Sequence, residues 1–132
     1  MRIGIVTTWF ERGAAHVSRQ YASLLTEAHD IFIYARGGES QARDDAEWSR
    51  YNITWGSRHW AKDKNNNEKD RNLGDFKRWV ERNKLDAVFF NEEHIWSAVL
   101  LCNEMGVKTG AYVDYYTKET VPLFGVYDFL IC

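Results

Sequence analysis

The sequence is short of several things, and each shortage removes a class of protein. It has two cysteines, Cys102 and Cys132, in apolar stretches and without metal-ligand spacing. They read as buried, reduced thiols, not as a disulfide framework. No apolar run approaches the roughly 20 residues that a membrane-spanning helix needs. The opening run Ile3–Val6 passes at once into Thr7-Thr8, too short for a secretory signal peptide. Neither sign of charge dominates: 17 basic and 19 acidic residues leave a net charge of −2, with no long run of one sign. That balance gives no electrostatic footprint for nucleic acid. Glycine is scarce where a dinucleotide site would need it, since Thr7–Gly13 offers bulky Trp9 and Phe10 and a single glycine instead of G-x-G-x-x-G. No G-x-x-x-x-G-K-[ST] phosphate loop occurs, so nicotinamide chemistry is disfavoured. A cytoplasmic protein is expected, and peripheral docking on a membrane surface is compatible with it.

What remains is an ordinary globular composition. The 132 residues are 45% hydrophobic and 27% charged, enough for one domain with a substantial core. Aromatic residues reach 15%, with six tryptophans and seven tyrosines. The expected loops hold Trp9, Phe10, Trp60, Tyr115 and Tyr116, and exposed aromatic surface often marks a binding site.

Hydrophobic periodicity alternates between strand and helix. Arg2–Thr7 is a continuous apolar run, the pattern of a strand buried on both faces. Ala14, Val17, Tyr21, Leu24, Leu25 and Ala28 recur at helical spacing. Ile31–Ala35 is a second strand, closed by Arg36-Gly37-Gly38. A short helix around Trp48, a strand at Tyr51–Trp55 and a long polar loop over Gly56–Asn72 follow. Leu73, Phe76, Trp79 and Val80 mark a helix ending near Lys84. Leu85–Phe90 is a fourth strand, Ile95–Met105 a helix with Gly106 at C′, and Val107–Val113 a fifth strand. Glu119–Phe124 is a short helix interrupted by Pro122, and Tyr127–Cys132 a sixth strand. The expected fold is α/β, a Rossmann-like three-layer sandwich with a mostly parallel six-stranded sheet. The apolar ending Asp128–Cys132 suggests a chain cut at a domain boundary.

Ligands of such sheets bind beyond the carboxyl ends of the strands, where strand order reverses. With the order 3-2-1-4-5-6, three loops converge there: Thr7–Gly13, Asn91–His94 and Asp114–Thr117. They bring Asp114, Glu92 and His94 as candidate catalytic groups. Trp9, Phe10, Glu11, Arg12, Gly13, Asn91, Tyr115 and Tyr116 are candidate substrate-binding residues. Carboxylates accept hydrogen bonds from paired hydroxyls, aromatic rings pack on apolar sugar faces, and a carboxylate can serve as general base toward a hydroxyl. Glu92, Glu93, His94 and Asp114 are hard or borderline metal ligands, but their spacing matches no metal signature, and no metal is expected.

At this point the chain resembles the N-terminal domain of GT-B-type glycosyltransferases, in the large retaining group that includes sucrose and glycogen synthases and bacterial mannosyltransferases. The matching stretches are Met1–Thr8 as opening strand, Gly13 before a helix carrying Tyr21–Leu25, His29–Ala35, Asp86–Glu92, and Gly106–Tyr112. The similarity is a pattern of strands and turns spread over nearly the whole chain. It implies a two-domain enzyme in which residues 1–132 form the acceptor-side domain and an absent C-terminal domain binds the donor. The implied reaction is transfer of a hexosyl group from a nucleotide-sugar, as co-substrate, to a hydroxyl on a glycan, a lipid-linked or a small acceptor. It implies no bound cofactor, and the fragment alone is expected to be inactive. Three positions depart from the family pattern. Arg12-Gly13 replaces Gly-Gly, Ala28-His29 replaces Gly-His, and Asp114 stands where an active-site histidine is common. The rival expectation is a non-catalytic Rossmann-like module that binds a small ligand or a protein. Donor sugar, acceptor, stereochemical course and oligomeric state are left open by the sequence.

Overall fold

A computed structural model describes residues 1–37, 40–56, 73–92 and 95–132. The elements follow in the order β1 (Arg2–Thr7), α1 (Gly13–Leu25), β2 (Asp30–Ala35), α2 (Ala46–Ser49), β3 (Ile53–Trp55), α3 (Gly74–Asn83), β4 (Ala87–Asn91), α4 (Trp96–Glu104) and β5 (Lys108–Tyr112). A 3₁₀ helix (Val121–Val126) and β6 (Phe129–Ile131) complete them. The six strands form one sheet in the order β3-β2-β1-β4-β5-β6. Every neighbouring pair is parallel. The expected α/β Rossmann-like fold is therefore the observed one, with β1 central and the order reversing between β1 and β4.

Side chains alternate across the sheet. Val6, Phe32, Tyr34, Val88 and Phe90 point to the layer that holds Phe76, Trp79 and Val80 of α3 and Ala98, Val99 and Cys102 of α4. Ile5, Ile33, Ala35 and Phe89 point the other way, toward Ala15 and Ala22 of α1 and Trp48 of α2. Burying each of the Val, Ile and Phe side chains among them stabilises the fold by about 1.5–3 kcal/mol. Gly4 sits where the first layer presses closest. A Cβ there would lie 2.4 Å from Trp79 Cη2 and 2.7 Å from Leu85 Cδ1.

Several expectations are corrected in detail. The 3₁₀ helix lies at Val121–Val126, and β6 covers only Phe129–Ile131. The α1 helix begins one residue earlier than its apolar pattern, because Gly13 already has helical backbone. Cys102 is buried, but Cys132 is exposed, as are the residues of the edge strand that precedes it. Burial pushes the Cys102 thiol up to about 12. The expected loop over Gly56–Asn72, with Trp60, falls almost wholly outside the described residues. Among the described residues no helix is long and apolar enough to cross a membrane.

Candidate functional site at the carboxyl edge of the sheet

Strands β1 and β4 both end in polar residues, and these pack together beneath the point where strand order reverses. Thr7, Thr8, Ser18 and Asn91 are all at most 1% exposed. The Asn91 amide donates to the Ala14 carbonyl and to Ser18 Oγ, each at 2.6 Å. Ser18 Oγ in turn donates to Thr7 Oγ1 at 2.7 Å, and Thr7 Oγ1 to the Thr8 carbonyl at 2.9 Å. This relay fastens the first turns of α1 to the ends of both central strands. Thr8 Oγ1 and Asn91 Oδ1 are buried without a hydrogen-bond partner, which is uncommon for buried polar atoms. Asn91, expected to touch substrate, is instead an interior strut. Thr7, Thr8 and Ser18 went unnoticed in the sequence, although a pair of threonines closing an otherwise apolar strand is a visible signal.

The residue after this strut has left-handed backbone. Glu92 has φ 51°, a conformation that costs a non-glycine residue about 1–2 kcal/mol. Its amide donates to the Tyr112 carbonyl at 3.3 Å, holding the β4 exit against β5. Glu92 meets Asp114, as the convergence of the two loops predicts. Burial first, then a hydrogen bond to the Asp114 carboxylate and that group's charge, raise Glu92 above the ordinary glutamate value. Arg12 and Arg36 act in the opposite sense. The two carboxyl groups thus stand close together, with the guanidinium groups of Arg12 and Arg36 nearby. Arg36 was missed, because its place after β2 reads only as part of a turn.

Other expected residues are scattered around this pair. Trp9 is fully buried. Its ring meets Trp48 edge-on at 5.3 Å and Tyr51 at 5.5 Å, and its indole N–H donates to the Trp48 carbonyl at 2.7 Å. It is a core residue, contrary to its expected place on the ligand wall, because α2 folds over the first loop. Glu11 pairs with His16 at 2.7 Å. Gly13 opens α1, and an added Cβ there meets nothing within 4 Å, so no close packing demands the glycine. The preceding Arg12 is extended, its side chain does not cap the helix, and no acidic residue stands in the first turn. Tyr115 and Tyr116 are 69% and 62% exposed, as a surface aromatic patch requires. His94, with Glu93, lies outside the described residues. Among those described, no group of three His, Cys, Asp or Glu side chains is placed to hold a metal.

The parallel sheet order, the helices on both of its faces and the polar carboxyl edge define a Rossmann-like α/β domain. No protein-family profile matches the sequence, and no curated protein does either. Among solved structures, the chain is similar to dTDP-glucose 4,6-dehydratase from Bacillus anthracis str. Ames in complex with NAD. The TM-score is 0.54 and the identity 9%, over 96% of this chain and 46% of that one. The chain thus spans about half the length of that enzyme, and the likeness is one of fold.

Proposed function

We propose that the chain is the acceptor-side domain of a GT-B-type glycosyltransferase, which moves a hexosyl group from a nucleotide-sugar to a hydroxyl acceptor. The observation that carries this is the Glu92–Asp114 carboxyl pair, brought together where the loops after β4 and β5 meet beside the switch point. One carboxyl of such a pair can accept a hydroxyl's proton while the other orients the hydroxyl. As the acceptor oxygen bonds to the anomeric carbon, its proton passes to the accepting carboxylate. The bond from that carbon to the donor phosphate breaks, and the nucleotide diphosphate leaves. Arg12, Arg36 and the uncapped first turn of α1 offer positive potential to that leaving group. The similar dehydratase acts, by its name, on a nucleotide-linked sugar, which fits a nucleotide-sugar as co-substrate. Its NAD does not carry over, since the first loop here fills the place of the dinucleotide glycines with Trp9 and Phe10. The donor-binding domain, a cytoplasmic location and the absence of a bound cofactor belong to the same proposal.

The test is a panel of nucleotide-sugars incubated with hydroxylated acceptors and protein containing this domain, with product followed by mass spectrometry. Glycosylated acceptor is expected. Glu92→Gln and Asp114→Asn should each lower the rate by roughly a hundredfold or more, the scale of lost proton transfer. No turnover of any donor, or full rates in both variants, would refute the proposal.

A further inference from the structure

The first loop is flanked by two clusters of charged side chains. On the β4 side, Arg12 and Arg36 stand near the Glu92–Asp114 pair. On the β2 side lies a recess of about 690 Å³, walled by Phe10 and Glu11 of the first loop and by Gln41, Arg43, Asp44 and Asp45 of the connection leading to α2. Three carboxylates against one guanidinium make this recess net negative. It is also built firmly. Trp9 and Gln41 form a parallel β-bridge, and the Ala42 amide donates to the Trp9 carbonyl at 3.0 Å. The Gln41 amide reaches the carbonyls of Ala35, Arg36 and Gly56 at 3.3, 2.9 and 3.3 Å. Its oxygen accepts from Arg43 Nε at 3.0 Å, and the Arg43 guanidinium lies over the Trp55 ring at 5.4 Å. Asp45 accepts the Glu47 amide at 2.8 Å, opening α2. The walls are therefore set before any ligand arrives, which spares the ordering cost of binding.

We propose that this recess binds an uncharged saccharide, two or three sugar units in size, with Phe10 as the apolar platform and Arg43, Asp44 and Asp45 as the hydroxyl-binding groups. The volume lies within the range of small-ligand sites. Carboxylates and a guanidinium bond vicinal hydroxyls in pairs, and a half-buried aromatic ring suits an apolar sugar face. The net negative charge repels phosphates, so a nucleotide is rejected here and directed to the opposite flank of the loop. As the acceptor's subsite the recess rests on the glycosyl-transfer proposal; as a saccharide site it stands without it.

The experiment is an amide-proton NMR titration of the full chain with maltotriose, chitotriose and mannotriose, and with inorganic phosphate as the anionic probe. At least one trisaccharide should shift the amides of Phe10 and residues 41–46, and phosphate should leave them in place. Asp44→Asn and Arg43→Ala should each weaken that binding about tenfold, the scale of a lost charge-assisted hydrogen bond. Phe10→Leu, which keeps the apolar volume but not the ring, serves as a variant that preserves packing and should also weaken it. Glu92→Gln should leave recess binding unchanged. Shifts by none of the three sugars, shifts confined to the Glu92–Asp114 side, or equal shifts by phosphate would overturn the proposal. Recess binding with no glycosyl transfer would refute the enzyme reading alone, and transfer without recess binding would refute the recess alone.

Discussion

Asn91→Leu is the substitution that most directly probes the strut under the site. The change keeps the volume and removes both donated bonds, to the Ala14 carbonyl and Ser18 Oγ. Each such bond contributes about 0.5–1.5 kcal/mol net, and a buried acceptor left empty costs about 1–3 kcal/mol. Ser18 Oγ keeps its bond to Thr7, and the Ala14 carbonyl lies inside α1, where the i→i+4 ladder still fills it, so the two lost bonds set the cost. Removing the unpartnered Asn91 Oδ1 returns part of it. The expected loss is therefore about 1–2 kcal/mol. Urea unfolding followed by tryptophan fluorescence measures it as a fall in midpoint at constant slope. Because Asn91 and Ser18 share a bond, Asn91→Leu and Ser18→Ala should be non-additive by about 1 kcal/mol or more. A loss below about 0.5 kcal/mol, or strict additivity, would show that the relay neither fastens α1 nor acts as a unit.

Two further perturbations read the neighbouring features. Glu92 is held protonated above its ordinary 4.5, so its stability contribution is full below that value and is lost as pH rises through its own raised value. Glu92→Gln, neutral throughout, should gain on the parent chain as pH climbs from 4 toward 7, whereas a constant gap in urea midpoints would contradict the raised value. Gly4→Ala and Gly13→Ala form a matched pair. The first drives a Cβ to 2.4 Å from Trp79 and should cost about 1–3 kcal/mol by overpacking. The second meets open space and should be neutral or stabilising by up to about 1 kcal/mol, so equal losses in thermal unfolding would contradict the difference in packing.

The sheet was legible because its order follows from rules that act on apolar runs. Continuous runs at β1, β2 and β4 mark strands covered on both faces, and right-handed crossovers of short length leave few orders for them. The meeting of Glu92 and Asp114 followed from the same topology, since both stand just beyond neighbouring strands. The fate of the aromatics was not legible. Trp9 lies on a loop in sequence, yet its burial depends on α2, a four-residue helix whose pattern is too short to announce a lid. Asn91 was placed correctly at the strand end, but whether an amide there faces ligand or interior depends on the pleat. Its odd-numbered neighbour Phe89 already faces α1, so period-two alternation sends Asn91 inward. Arg36 and the recess beyond the first loop depend on tertiary contact between residues 9 and 41, which no local pattern encodes.

The two edges of the sheet differ in how their polar groups are resolved. At the amino edge, Asp86 accepts the Arg2 amide at 2.7 Å and Asp128 the Thr109 amide at 2.7 Å. The left-handed Lys84 there is the ordinary closing turn of a helix. At the carboxyl edge lie Thr8 Oγ1 and Asn91 Oδ1 without partners, a left-handed glutamate that closes no helix, and two carboxyl groups held close together. Each of these costs stability, and a sequence selected for stability alone would relieve the left-handed backbone with glycine at position 92. Strain and unmet polar groups persist where the surrounding fold over-determines them and where their chemistry is used. Under the two proposals, their gathering beside the switch point, next to the walled recess, divides the labour of the first loop: uncharged hydroxyls on the β2 side, and proton and phosphate chemistry on the β4 side.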